Sequence, residues 1–295
     1  MDDVIIIGGS FAGLAGALQL VRARRKVTVL DTGLNRNRFA GHSHGVLGHD
    51  HKTPAQILGE ARQQLMRYPS LRTINARATA ITGAPDDFSV TTDDGQTIKG
   101  RRILLAYGVT DQMPDIPGFA ESWGKSIVSC PYCDGFEVAG KHWGLLYGGP
   151  HTLHATQLFA DWTDQLTLFA NGHEIAEEER ANVLARGFAI VDGKVTGIAH
   201  EEGQISAVQT EGGETAVDVL FAHPNYRPSA NLHEALGVEI EHNPIGQTIK
   251  VDEMRQTSVP GVFAAGDLMN PMASVTFAMA SGAFAAVCAQ RSMLV

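Results

Sequence analysis

Two cysteines separated by two residues carry the clearest chemistry in this sequence. Cys130 and Cys133 stand in the run Ser-Cys-Pro-Tyr-Cys-Asp-Gly-Phe-Glu and account for two of the three cysteines. A Cys-x-x-Cys spacing lowers the pKa of one thiol, and the thiolate is the form that attacks disulfides. The pair therefore predicts thiol–disulfide exchange, and the rest of the chain must supply or remove its electrons.

A structural disulfide and half of a zinc site are the other roles open to this pair. A four-cysteine zinc site is excluded because the sequence holds no second cysteine pair. Pro131 suits the first turn of a helix, where a missing N–H costs little, and a helix start favours a thiolate. The third cysteine, Cys288, lies in an alanine-rich segment predicted as a helix, where a small buried residue is the expected role.

The chain begins with the pattern of a nucleotide-binding β-α-β unit. The β-branched run Val4–Ile7 predicts a buried parallel strand, and a glycine-rich turn follows it. Gly8 permits the tight turn and Gly13 the close packing of helix on strand, although Ser10 replaces the second glycine of the usual fingerprint. The helix N-terminus would face a pyrophosphate, and Asp31, after the second strand, would accept ribose hydroxyls. A glycine-rich turn without a nucleotide is the alternative.

A second unit of the same outline starts at the apolar strand Trp143–Tyr147. Pro150 and Leu153 occupy the second and third glycine positions of its turn. Proline removes a backbone donor, and leucine adds bulk where backbone and ligand should approach. The following strand ends in Ala-Asn-Gly, without the arginine that would hold a 2′-phosphate. The sequence therefore predicts a nucleotide-like domain with a degenerate site.

Four histidines fall within ten residues, at His42, His44, His49 and His51. Such a cluster could suggest a metal site. Its spacing matches none of the usual zinc patterns. We therefore predict a polar loop that wraps a cofactor, and no metal site.

The composition is that of a globular protein with two domains. The chain has 295 residues, is 44% hydrophobic and 19% charged, and carries a formal net charge of -9. The negative charge argues against nucleic acid as a partner. No apolar run of about 18 residues predicts a membrane span, and the N-terminus lacks the basic region of a signal peptide. We expect a cytoplasmic protein without membrane partners.

The order of these features resembles that of the low-molecular-weight thioredoxin reductases over essentially the whole chain. The resemblance rests on the first turn, the Cys-Pro-Tyr-Cys-Asp-Gly segment, the second nucleotide-like unit and a late Gly-Val-Phe-Ala-Ala-Gly-Asp run. The Cys-Pro-Tyr-Cys form with its following Gly-Phe-Glu also resembles a sister group, the dithiol oxidases that close disulfides in gliotoxin- and holomycin-type natural products. The resemblance to the thioredoxin reductases implies an α/β fold with two Rossmann-like three-layer domains. An FAD domain at 1–115 and 243–295 would be split by an inserted NAD(P)-binding-like domain at 116–242, which carries the dithiol.

The resemblance also implies roles for individual residues. Cys133 would face the flavin, Cys130 would attack the substrate and Asp134 would be the acid–base group. His44, and after it His42, would be a base near the dithiol, with a solvated histidine that caps backbone groups as the alternative. The residues implied to bind FAD are Gly8, Gly9, Ser10, Phe11, Ala12, Gly13, Asp31, Arg38, Ala78, Ala106, Gly108, Gly266, Asp267, Val275 and Thr276.

Several functions fit this constellation. The resemblance implies an FAD-dependent dithiol/disulfide oxidoreductase that passes electrons between flavin and the Cys130–Cys133 pair, with NADPH or NADH use left open by the degenerate site. The degenerate turn favours an O2-dependent dithiol oxidase or a reductase fed by ferredoxin, whereas Asp134 favours the reductase. A non-enzymatic redox sensor is a further alternative. The expected partners are a thioredoxin-like protein or a small-molecule dithiol or disulfide, and the resemblance implies a homodimer.

Overall fold

The computed structural model describes residues 1–294, which form two compact units. The first unit consists of Met1–Arg38, Lys52–Thr110 and the chain from Tyr226 onward, and the second consists of Phe39–His51 and Asp111–Asn225. No helix of the described chain is long and apolar enough to cross a membrane.

Nineteen strands and eight α-helices follow one another along these residues. The strands are β1 (Asp2–Ile7), β2 (Val27–Asp31), β3 (Leu71–Asn75), β4 (Ala78–Thr82), β5 (Phe88–Thr92), β6 (Thr97–Leu105), β7 (Val109–Gln112), β8 (Ile127–Val128), β9 (Trp143–Leu146), β10 (Leu166–Phe169), β11 (Ala189–Val191), β12 (Val195–Glu201), β13 (Gln204–Thr210), β14 (Gly213–Ala216), β15 (Val219–Phe221), β16 (Asn225–Pro228), β17 (Ile240–Asn243), β18 (Gly246–Ile249) and β19 (Val262–Ala264). The helices are α1 (Phe11–Arg22), α2 (Pro54–Leu65), α3 (Phe119–Ser122), α4 (Pro131–Asp134), α5 (Pro150–Phe159), α6 (Glu177–Leu184), α7 (Leu232–Ala235) and α8 (Val275–Arg291), with short 3-10 turns at Arg36–Phe39 and Gly266–Leu268.

A seven-stranded sheet organises the first unit. Its order is β3-β2-β1-β6-β5-β4, with β19 also paired to β6. Strands β1, β2, β3, β6 and β19 run parallel, whereas β4 and β5 add an antiparallel hairpin. The carboxyl ends of the parallel strands meet at one edge of the sheet, which is where α/β folds bind ligands.

The apolar run of β1 is explained by burial on both of its faces. Val4 and Ile6 belong to one core cluster with α1, α2 and α8, whereas Ile5 and Ile7 belong to a second cluster with β5 and β6. Alternate side chains of a strand point to opposite faces, so a strand buried on both sides is apolar at every position. Cys288 is 3% exposed in the first of these clusters, which confirms its predicted role as a small core residue.

A five-stranded parallel sheet, ordered β11-β10-β9-β15-β8, organises the second unit. Trp143, Phe159 and Phe221 pack together in its core. A three-stranded antiparallel sheet, β12-β13-β14, completes the unit. Strand β8 leads directly into the dithiol, and β9 leads into the second glycine turn. The fold class is therefore the predicted α/β arrangement with Rossmann-like domains.

The compact units differ in their bounds from the predicted domains. Apart from the segment Phe39–His51, the chain passes between them after Thr110 and after Asn225, rather than at 115 and 242. The second crossing is earlier because Leu232, Val238 and Ile249 pack in the core beneath the first sheet. The histidine-rich segment Phe39–His51 lies in the second unit, together with the dithiol.

The sequence pattern also predicts strands at Leu71–Ile81, Gln96–Lys99 and Arg102–Ala106 and a helix at Ala55–Tyr68, and the structure corrects their bounds. The predicted strand Leu71–Ile81 is two strands, β3 and β4. Conversely, the segments predicted as separate strands at Gln96–Lys99 and Arg102–Ala106 form one strand, β6, which pairs with the hairpin and continues into the parallel sheet. The predicted helix Ala55–Tyr68 is α2, which starts with a capping box between Thr53 and Gln56.

Candidate active site

The dithiol lies where β8 ends and a single helical turn begins. Cys130 caps α4 in an extended conformation, and Pro131 is the first residue of the helix, as predicted. The backbone N–H groups of Cys133 and Asp134 both donate to the carbonyl oxygen of Cys130 at 3.1 Å. This turn holds the two thiols together on one short element, both partly buried and both as free thiols.

The two thiols have opposite proton affinities. A hydrogen bond from the Cys133 S–H group, assisted by the amides of Cys133 and Tyr132, lowers the pKa of Cys130 from 9.0 to about 7 against the opposing effect of burial. The same hydrogen bond, followed by burial, raises the pKa of Cys133 above its ordinary value. Cys130 is therefore the thiol that ionises near neutral pH, and it is the better nucleophile and leaving group of the pair.

Asp134 is a carboxyl group whose environment suits proton transfer. Burial, and then the negative charge of Glu137, raise its pKa from 3.8 to about 6. A group with a pKa near the working pH can both donate and accept a proton during turnover. Its place directly after Cys133 puts this group beside the dithiol.

His44 reaches the dithiol segment through Glu137. The Nδ1 atom of His44 lies 3.4 Å from Oε1 of Glu137, at ion-pair distance, and its side chain is 14% exposed. His42 is exposed, with its ring centroid 6.1 Å from that of His44. The structure therefore brings His44 to the end of the Cys-Pro-Tyr-Cys-Asp-Gly-Phe-Glu segment, and Glu137 is the partner that sequence reasoning missed.

Aromatic side chains surround the helical turn. Trp162 meets the ring of Tyr132 edge to face at 5.5 Å. A Cβ atom at Gly135 would lie 3.0 Å from the Trp162 ring, so this glycine allows the indole to approach the turn. Tyr132 and Phe136 are 70% and 82% exposed, and such exposed aromatic rings offer an apolar contact surface for a substrate.

The first glycine turn packs its backbone closely against the neighbouring strand and helix. Gly8 has a φ of +108°, and a Cβ atom there would lie 2.2 Å from the carbonyl oxygen of Ala106. A Cβ atom at Gly13 would lie 1.8 Å from the carbonyl oxygen of Gly8. Only glycine fits either position. The side chain of Ser10 does not cap α1, so the N–H groups at the start of this helix are available to a phosphate group.

Charged side chains flank this turn. Asp31 ends β2, and its Oδ2 atom accepts a hydrogen bond from Nη2 of Arg62 at 3.1 Å. Asp267 lies in the turn after β19, where Nη1 of Arg36 donates to its Oδ2 atom at 2.9 Å. The sequence pointed to both aspartates but to neither arginine, because each ion pair joins distant parts of the chain.

The other residues predicted to bind FAD also lie in the first unit. Phe11 and Ala12 are buried in α1, Arg38 donates to the carbonyl oxygen of Asn35, and Ser274 caps the helix that Val275 and Thr276 begin. Gly8, Asp31, Ala106 and Gly266 each stand at the carboxyl end of a parallel strand, and Ala78 follows the end of β3. The residues present therefore fit FAD, with a glycine floor for the pyrophosphate and a carboxylate for the ribose. The complete predicted set is Gly8, Gly9, Ser10, Phe11, Ala12, Gly13, Asp31, Arg38, Ala78, Ala106, Gly108, Gly266, Asp267, Val275 and Thr276.

The second glycine turn is filled by its own side chains. The imidazole of His151 lies over Gly149, where a Cβ atom would be 3.2 Å from two ring atoms. The N–H group of Gly148 donates to Oγ1 of Thr152 at 3.0 Å. Pro150 is the first residue of α5, where its missing N–H is of little consequence. Leu153, which was predicted to add bulk at the ligand, instead packs against the core of the second unit. The site is therefore obstructed chiefly by His151 and Thr152, rather than by Pro150 and Leu153.

Comparison with known proteins agrees with this arrangement. The family model for pyridine nucleotide-disulphide oxidoreductases matches residues 2–282. A protein named thioredoxin reductase tcpT, from Claviceps purpurea, is 35% identical over 99% of this chain and 94% of its own length. The crystal structure of an oxidoreductase from Agrobacterium tumefaciens has a TM-score of 0.94 at 40% identity, covering 99% of this chain and 98% of that one. The structure of HlmI has a TM-score of 0.92 at 32% identity, covering 99% and 92%.

Proposed function

This chain belongs to the pyridine nucleotide-disulphide oxidoreductase family, and we propose a direction of electron flow for it. It is an enzyme of the thioredoxin reductase type, an FAD-dependent dithiol/disulfide oxidoreductase. Within that type, we propose that it works as a dithiol oxidase. A substrate dithiol reduces the Cys130–Cys133 disulfide, and O2 is the final electron acceptor.

The exchange itself needs only the Cys130–Cys133 disulfide of the enzyme and a substrate with two thiols. A substrate thiolate attacks Sγ of Cys130 in the enzyme disulfide, which forms a mixed disulfide and releases Cys133 as a thiolate. The second substrate thiolate attacks the substrate sulfur of that mixed disulfide and releases Cys130 as a thiolate. The substrate leaves as a disulfide and the enzyme holds two more electrons. Bound FAD supplies the two-electron chemistry that restores the enzyme disulfide, with O2 reduced to hydrogen peroxide.

Proton transfer falls to two groups of the second unit. Asp134, with a pKa of about 6, is the proposed acceptor of the substrate thiol proton and donor to the departing Cys133 thiolate. His44, whose Nδ1 atom lies 3.4 Å from Oε1 of Glu137, is the proposed second base. Cys130 leaves readily from the mixed disulfide because its thiolate is stabilised near neutral pH.

The filled second glycine turn is the observation that carries the proposed direction. A reductase of this family draws its electrons from a pyridine nucleotide, whose pyrophosphate needs free backbone donors at such a turn. Here the imidazole of His151 covers Gly149, and Oγ1 of Thr152 takes the N–H of Gly148. A dithiol substrate bypasses that site because it delivers its electrons directly to the cysteine pair.

A reductase is the second candidate, because relatives of this chain carry the name thioredoxin reductase. A donor other than NADPH, such as ferredoxin, would then reduce the enzyme. The substrate would be the disulfide of a thioredoxin-like protein or of a small molecule. This candidate predicts turnover only with an external electron donor, whereas the oxidase needs none.

Peroxide production distinguishes the two candidates. The FAD-loaded protein is mixed with dithiothreitol in air, without pyridine nucleotide, and disulfide and hydrogen peroxide are both quantified. The oxidase predicts one peroxide for each disulfide, with turnover abolished in Cys130→Ser and retained in the matched control Cys288→Ser. Turnover of neither dithiothreitol nor any other dithiol in air, together with disulfide reduction on addition of a donor, would favour the reductase.

We also propose that the protein is a cytoplasmic homodimer. Family resemblance supports the dimer, and a redox-active Cys-x-x-Cys pair suits a reducing compartment. Light scattering coupled to size-exclusion chromatography should give twice the chain mass of 31.6 kDa. A monomer in that measurement, or recovery of the protein outside the cytoplasmic fraction of its cells, would contradict the proposal.

A further inference from the structure

We propose that the histidine-rich loop at residues 43–51 binds a divalent transition-metal ion such as Zn²⁺ through His44, Asp50 and His51. One ligand atom from each of these three residues lies within 4.8 Å of the other two. Two imidazoles and one carboxylate form the donor set of open zinc sites, in which water takes the fourth position. Neither the dithiol chemistry nor the FAD site uses Asp50 or His51.

The loop is closed on itself, which brings these residues together. The backbone N–H of His51 donates to the carbonyl oxygen of Ser43 at 3.1 Å, and the N–H of Gly45 donates to Oδ1 of Asp50 at 2.8 Å. Ser43 and Val46 are buried and anchor the loop. The side chains at its two ends therefore face each other without any folding on binding.

The distances allow a tetrahedral ion after small side-chain rotations. The rings of His44 and His51 meet edge to face at 4.8 Å, and Nε2 of His51 is 3.3 Å from Oδ2 of Asp50. Ligand bonds of about 2.0–2.1 Å place neighbouring tetrahedral ligands roughly 3.3 Å apart, so a pair of ligand atoms must close by at most about 1.5 Å from its present separation within 4.8 Å. The side chains of Asp50 and His51 are 51% and 66% exposed, and they can turn toward the ion at little cost.

Glu137 supplies the outer partner that metal-bound histidines usually have. Its Oε1 atom lies 3.4 Å from Nδ1 of His44, close enough to become the hydrogen-bond partner of that nitrogen when Nε2 binds the ion. A carboxylate on the far nitrogen fixes the tautomer and raises the basicity of the ligating nitrogen. The ion would therefore be linked through His44 and Glu137 to the segment that carries the dithiol. Because the ion takes the lone pair of His44, this histidine can serve as the proposed second base only in the metal-free protein.

Metal binding can be tested apart from any activity. The FAD-loaded double variant Cys130→Ser/Cys133→Ser, which cannot bind the ion through the dithiol, is titrated with Zn²⁺ by calorimetry and with Co²⁺ by visible absorption. We expect one ion per chain and the strong visible absorption of tetrahedrally coordinated Co²⁺. In that background, Asp50→Ala and His51→Gly should each weaken binding by at least roughly 100-fold, and Glu137→Gln by about 10-fold.

The controls separate this site from general histidine binding. His51→Gly suits the backbone at that position, where φ is +63°, and thermal unfolding followed by circular dichroism reports that the variant is folded. His42→Ala removes a neighbouring exposed histidine outside the set and should leave the affinity unchanged. The proposal is overturned by the absence of saturable binding up to about 100 µM Zn²⁺, a concentration far above that of any specific zinc site. Equal affinities in the double variant and its His51→Gly form would overturn it as well.

Discussion

Replacing Cys133 by alanine tests whether its S–H group makes Cys130 reactive. That hydrogen bond is the largest of the effects that lower the pKa of Cys130 from 9.0 to about 7. At pH 7 a thiol with the lower pKa is half ionised, whereas one with the ordinary pKa is ionised to about 1%, a roughly 50-fold difference. We expect Cys133→Ala to raise the pKa of Cys130 most of the way toward its ordinary value.

The alkylation rate of Cys130 should fall by a smaller factor than the fraction of Cys130 that is ionised. A thiolate of higher pKa is intrinsically more nucleophilic, by roughly 6- to 10-fold over two pKa units. The alkylation rate of Cys130 at pH 7 should therefore fall by about 5- to 8-fold in the variant, and the midpoint of its pH profile should move up by more than one unit. Anaerobically reduced protein is treated with iodoacetamide between about pH 5 and pH 10, and the Cys130 peptide is quantified by mass spectrometry.

Cys288→Ala is the matched control, because this cysteine is buried in the other unit and should not affect the profile. Wild type and Cys133→Ala with the same midpoint for Cys130 would refute the reasoning. The amide groups alone would then stabilise the thiolate.

Three other substitutions address the proton, the flavin and the second turn. Asp134→Asn should slow dithiol oxidation by roughly 100-fold, because the ionised carboxylate accepts the substrate proton. It should also abolish the rise in rate as the pH passes about 6, and a retained rise would contradict this role. Gly13→Ala should lower the ratio of flavin to protein absorbance, because the added Cβ would lie 1.8 Å from the carbonyl oxygen of Gly8. The control Gly59→Ala should preserve that ratio, because its Cβ would meet no neighbouring atom within 4 Å, and equal ratios in the two variants would count against the site. His151→Ala should strengthen NADPH binding measured by fluorescence quenching, and unchanged binding would show that the imidazole is not the obstacle.

The chemistry of short segments could be predicted from the sequence because it depends on local spacing. The turn between Gly8 and Gly13 needs residues without side chains wherever strand, helix and phosphate converge, so its glycines identify it directly. The Cys130–Cys133 pair and the helix start at Pro131 are equally local. Each of these segments has the conformation that its residue types predict.

The partners of these segments could not be predicted, because they depend on packing between distant parts of the chain. Arg36 is 231 positions from Asp267, and Arg62 is 31 positions from Asp31, with no pattern that links either pair. The approach of His44 to Glu137 likewise requires the histidine-rich loop to join the second unit, although the chain on either side of the loop belongs to the first. One sequence contains no signal for such contacts.

Anaerobic reduction of the bound flavin tests the direction of electron flow most directly. The FAD-loaded protein is mixed, without oxygen, with either NADPH or dithiothreitol, and the flavin absorbance is followed. We predict that dithiothreitol bleaches the flavin, that Cys130→Ser prevents this, and that air restores the absorbance with release of peroxide. We also predict that NADPH leaves the absorbance unchanged, because His151 and Thr152 fill the second turn. Bleaching by NADPH at a rate that supports turnover would contradict the oxidase.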